Sequence, residues 1–151
     1  MNIRGVMFGL VLLGAPWSAV ASLGDTVASI DADRAQMKGS LRVRPAAAYE
    51  VHEIESGDGS IVREFVSGAG VVFAVSWQGQ FTPDLQQLLG KHFDRYSAGL
   101  KAQKAAYVGR RPLDLELPGL VVQKNGHVRS FVGRAYIPEQ VPLGVKLEEL
   151  W

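Results

Sequence analysis

The chain reads as an α+β domain, in which an antiparallel sheet of about five strands carries one long amphipathic helix across it, with a short N-terminal helix and an extended C-terminal tail. Three observations predict this. Between Ala48 and Trp77, runs rich in Val, Ile and Phe are separated by Gly-rich turns. From Leu85 to Leu100, apolar residues recur at three- and four-residue steps. An Asn-Gly pair then sits inside GLVVQKNGHVRSFVGRAYIP, the strongest short-range hairpin signal.

The first 21 residues, MNIRGVMFGLVLLGAPWSAVA, read as a secretory signal peptide. Arg4 lies near the terminal amine, an apolar run extends from Gly5 to Ala15, Pro16 breaks it, and Ala19-Val20-Ala21 is a small-residue end. Cleavage is expected between Ala21 and Ser22, leaving 22–151 as a single α+β domain. The apolar run is half the roughly 20 residues a membrane-crossing helix needs, so no stable anchor is expected after cleavage. The expected compartment is the periplasm rather than the medium.

The segment SIDADRAQMK, Ser29 to Lys38, predicts a short helix: Ser29 caps it, Asp31 and Asp33 suit the positive first turn, and Gly39 suits its end. Three strands follow. AYEVHEIE, Ala48 to Glu55, has ambiguous faces and reads as an edge; SIVREFVS, Ser60 to Ser67, is the second; VVFAVSW, Val71 to Trp77, is apolar on both faces and belongs mid-sheet. The long helix is capped by Thr82, with Pro83 at its first position and Asp84 complementing the dipole. Gly90 lies inside it, which a close approach to the sheet would explain. After a loop rich in Arg, Pro and Leu, the hairpin turns on Asn125-Gly126. Lys124 is thereby paired with His127, Val122 with Arg129 and Leu120 with Phe131. This register puts Leu120, Val122, Arg129 and Phe131 on one face and Val121, Ser130 and Val132 on the other. The tail from Pro138 to Trp151 is expected to lie on the surface, pinned by Leu147, Leu150 and Trp151.

Composition narrows the function classes. The chain has 16 Lys+Arg against 15 Asp+Glu and no cysteine. Loss of Arg4 with the leader balances the charges, and Arg110-Arg111 with Lys101 and Lys104 is a solvated helix end, so no nucleic-acid role is expected. Without thiols an exported chain has neither disulfides nor a lipid-modifiable cysteine and must be held by packing.

The block VREFVSGAGVVFAVSWQGQFTPDLQQLLGKHF, Val62 to Phe93, together with GHVRSFVGRAYIPEQVP, Gly126 to Pro142, resembles the bacterial domain-of-unknown-function family numbered 2844. The resemblance covers essentially the whole mature chain. It implies an exported bacterial protein and carries over no catalytic residue, cofactor or substrate.

The local HEIES has no second histidine four residues on, so the helical zinc-protease motif is absent. His52, His92 and His127 would have to converge from separate elements, and no metal or cofactor is expected. There is no G-x-S-x-G elbow either. The expected function is a non-enzymatic module binding an envelope protein or a small ligand. Trp77, Phe81, Asp84 and Tyr136 are its candidate lining, where Trp77 and Phe81 lead into the start of the long helix. The alternative is a small periplasmic hydrolase, with Glu53 and Glu64 for acid and base work beside His127 and Arg129. The apolar neighbours of Arg129 in the expected register also predict a partly buried Arg129–Glu64 contact.

Overall fold

The computed structural model describes residues 23–106 and 112–151. The leader, its cleavage point at Ala21 and Ser22, and the pair Arg110-Arg111 lie outside the described residues. Seven strands form one antiparallel sheet: β1 Ser40–Pro45, β2 Tyr49–Glu55, β3 Ile61–Ser67, β4 Val72–Gly79, β5 Leu113–Leu117, β6 Leu120–His127 and β7 Ser130–Tyr136, in the order β1-β2-β3-β4-β7-β6-β5. β4, apolar on both faces, is the middle strand. The sheet has seven strands rather than about five because both edges are β-strands that carry little apolar signal. β1 pairs along the whole of β2, so the first expected strand is not an edge, and β5 pairs with β6 where a loop is expected.

The helices α1 Ile30–Met37, α2 Leu85–Leu89 and α3 Phe93–Ala106 cover one face. There Ile30, Leu85, Leu88, Leu89 and Tyr96 pack with Ile54, Val62, Val75, Trp77, Val122 and Ala135 of the strands. Burial of each such aliphatic side chain stabilises by about 1.5–3 kcal/mol. The other face holds Phe65, Phe73, Val121 and Tyr136, closed over by Leu150 with Val141, Val145 and Leu147 of the tail. The tail is therefore a second cover, wound into 3₁₀ turns at Pro138–Gln140 and Leu147–Glu149. Its last residue, Trp151, stacks 4.3 Å from the Arg134 guanidinium.

Several local expectations move. Ser29 occupies the position before α1 without capping it; its hydroxyl donates to the Thr26 carbonyl at 2.5 Å, and Lys38, at φ 50, rather than Gly39 makes the left-handed end. Asp84, not Thr82, caps α2: one carboxylate oxygen accepts from the Gln86 and Gln87 amides at 2.9 and 3.3 Å. The long helix is interrupted by a 3₁₀ turn at Gly90–His92. Gly90 has φ 47 and ψ −123, a conformation that disfavours any Cβ, so backbone shape by itself accounts for the glycine.

The β6–β7 hairpin turns on Val128-Arg129, with Arg129 at φ 65, instead of Asn125-Gly126. The observed register sets the buried Ala135 and Tyr136 against Val122 and Val121. A turn at Asn125-Gly126 would carry both beyond the paired region, so core burial outweighs the local turn preference. Because the slip is even in the pairing sum, Leu120, Val122 and Phe131 still share one face, and Val121, Ser130 and Val132 the other.

Candidate binding groove and the polar clusters of the sheet

A groove with a mainly apolar lining lies where α1, the β2–β3 turn, β4 and the start of α2 meet. It holds about 350 Å³, within the range of small-ligand sites. Trp77 forms part of its floor, fully buried and lying across Gly133 of β7, where a Cβ would come 2.3 Å from the ring. Phe81, at the mouth, is 64% exposed. Among the described lining residues the charged ones are Asp58 and Asp84, both acidic. Asp58 accepts from the Ser56 hydroxyl at 2.5 Å and the Ser60 amide at 2.9 Å. These bonds, the Ser56 hydroxyl foremost, hold its pKa below the ordinary 3.8 and keep it ionised. Three of the four candidate binding residues, Trp77, Phe81 and Asp84, therefore line one groove. Tyr136 belongs to the opposite face, against Phe65, Phe73 and Leu150.

The four residues of the hydrolase alternative are not brought together. On β2 and β3, Glu53 pairs with Arg63 while Glu64 pairs with His52, which puts the two carboxylates on opposite faces. His127 and Arg129 are exposed at the far end of the β6–β7 hairpin. The expected Arg129–Glu64 contact does not form, since Arg129 is a turn residue and Glu64 faces the helices.

Glu64 has a different partner. It is 1% exposed, beneath Asp33 of α1, which is fully buried. The Gln87 side-chain amide of α2 donates to Asp33 Oδ1, and the Asp33 and Glu64 carboxyls lie close enough for each to influence the other's ionisation. No described donor reaches Asp33 Oδ2 or either Glu64 oxygen. Two buried carboxyls side by side disfavour joint ionisation, because each is desolvated and repels the other's charge. Burial first, then the bond to Asp33 and its charge, push Glu64 well above the ordinary 4.5. Burial also raises Asp33. Sequence reading credits Asp33 to the helix dipole because the helical period does not reveal that this turn faces the sheet. His52 stands opposite Glu64, and among the described residues no group of three or more His, Cys, Asp or Glu is arranged to hold a metal.

On the tail-covered face, register places one polar residue of every strand in a single row: Arg42, Glu53, Arg63, Ser76, Arg134, Gln123 and Asp114. Glu53 accepts from Arg63 Nε at 2.9 Å and from Arg44, with Arg42 at 3.9 Å. Arg134 donates to Gln123 at 2.7 Å, and Gln123 to Asp114 at 3.1 Å. These are structural partnerships of the kind that stabilises buried charge.

Fold and site together define a mixed α/β protein with one antiparallel sheet, an acidic-rimmed groove and no assembled acid–base pair among the four candidates. Residues 19–150 match the family described as protein of unknown function (DUF2844), and the chain belongs to that family. Neither a curated protein nor a solved structure matches it.

Proposed function

We propose that this chain is an exported, periplasmic bacterial protein that works as a non-enzymatic binding module. Its groove takes an apolar side chain flanked by a cationic group on a partner's exposed segment. The observation that carries this reading is Phe81, an aromatic ring left 64% exposed at the mouth of a groove floored by Trp77 and rimmed by Asp58 and Asp84. Isolated exposed apolar residues are ordinary, but one continuous with an apolar floor is the form that side-chain pockets take. The acids select positive charge. Export is supported by the leader composition, and processing is checked by the mass of the chain recovered from the periplasm, which should begin at Ser22.

The binding test is a titration of processed chain carrying Trp151→Phe, so that Trp77 alone reports by fluorescence. A Leu-Lys-Leu-Lys-Leu peptide should give a saturable change that Phe81→Asp weakens about tenfold, while Leu-Glu-Leu-Glu-Leu gives none. Equal response to both peptides, or none to either, overturns the reading.

A further inference from the structure

We propose a second interaction surface, independent of the groove: the outer edge of β1, which would accept an acidic extended segment of a partner protein as an eighth strand. Among the described residues β1 is a terminal strand of the sheet, paired with β2 alone. The Ala46 amide bonds to the Tyr49 carbonyl at 2.8 Å, which makes that pair a hydrogen-bonded one. Hydrogen-bonded pairs alternate along an antiparallel ladder, so Arg44, Arg42 and Ser40 spend their backbone groups on β2. Leu41 and Val43 consequently turn their N–H and C=O groups outward, and Pro45 offers a carbonyl alone. This is the unsatisfied row that strand addition uses.

The side chains say which strand fits. Arg42 and Arg44 share one face, with side chains 72% and 53% exposed, and Val43 is exposed on the other. Both arginines and Arg63 gather on the single carboxylate of Glu53, so positive charge is left over along the edge. Glu55 stands opposite Ser40, at the start of the strand, which places the uncompensated part toward Arg42 and Arg44. A second copy of β1 is disfavoured, because antiparallel pairing about Val43 would set Arg42 against Arg44 of the other chain. A strand with acidic residues at alternate positions puts each acid beside an arginine while its backbone satisfies Leu41 and Val43.

The test uses the processed full chain and a fluorescein-labelled Ser-Glu-Thr-Glu-Val-Ser peptide. The control, Ser-Glu-Glu-Thr-Val-Ser, has the same charge with the acids on opposite faces. The alternating peptide should bind saturably, more weakly at high salt, and slow amide exchange at Leu41 and Val43. Arg42→Glu should reduce its affinity about tenfold. Phe81→Asp should leave binding unchanged, which separates this surface from the groove. Equal binding of the control, or unprotected amides at Leu41 and Val43, reduces the effect to charge attraction and overturns strand addition. Self-association of the chain that protects the same two amides would replace the acidic partner with a second copy and would also overturn it.

Discussion

Glu64→Gln should change the pH dependence of stability more than it changes stability at any one pH. Glu64 and Asp33 are buried together, and the described donor to them is Gln87, which serves Asp33 Oδ1. The folded pKa of Glu64 lies above its ordinary 4.5, so the folded chain keeps a proton that the unfolded chain releases. The stabilisation tied to that proton is complete below the unfolded value and is lost as pH rises through the folded one. Each pH unit across that window removes about 1.4 kcal/mol from the parent chain. Asp33 is shifted the same way. His92 acts oppositely: burial, then Lys91 and Arg95, hold it below 6.5, so its contribution is lost as pH falls. The difference between variant and parent is therefore the informative quantity. A glutamine at 64 is nearly isosteric and supplies a permanent donor to Asp33, so the variant should match the parent within about 1 kcal/mol at pH 4.5 and exceed it progressively toward pH 8.5. Thermal melts followed by near-ultraviolet circular dichroism across that range would read roughly 3–6 °C per kcal/mol. Parallel curves for the two chains, or a variant that loses ground as pH rises, would refute the upward shift of Glu64. Glu64→Leu provides the contrast: it takes the polar neighbour away from the buried Asp33 carboxyl and should cost about 1–3 kcal/mol at neutral pH.

Two further substitutions test the groove and its frame. Gly133→Ala places a Cβ 2.3 Å from Trp77 and should cost about 1–3 kcal/mol in urea unfolding while altering Trp77 fluorescence; an unchanged midpoint would contradict the close approach. Asp84→Ala removes two amide contacts at the start of α2 and should cost about 1 kcal/mol, most of it recovered by Asp84→Asn, since asparagine caps nearly as well. Equal losses in both variants would assign the effect to charge rather than capping.

What could be read in the residues follows the strength of the apolar pattern. β4 was legible as the middle strand because Val72 to Trp77 is apolar at every position but Ser76, and such a strand must be covered on both sides. β1 and β5, LRVR and LDLEL, gave little sign of themselves because an edge strand buries little and its charges resemble those of a loop. The Asn-Gly signal misplaced the hairpin turn because a local backbone preference yields when core residues at the far end of the same hairpin, Ala135 and Tyr136, gain burial. The faces survived because an even slip conserves alternation. For the site, Trp77, Phe81 and Asp84 lie within eight residues, so proximity in sequence revealed proximity in space. The Asp33–Glu64 pair joins residues far apart in the chain, and a charge that faces inward has no local signature.

The polar row across the sheet has a consequence for how the chain finds its alignment. Each strand contributes one member, and each member's neighbours come from the adjoining strands. Sliding β3 by one residue would turn Arg63 toward Ile54, Val75 and the helices and carry Phe65 away from Phe73. A one-residue error at a charged inner strand thus turns its charge toward hydrocarbon, so the row works as a checksum on the alignment of the middle of the sheet. In a chain without cysteine to reshuffle, misaligned sheets are rejected by solvation and packing, with no covalent step.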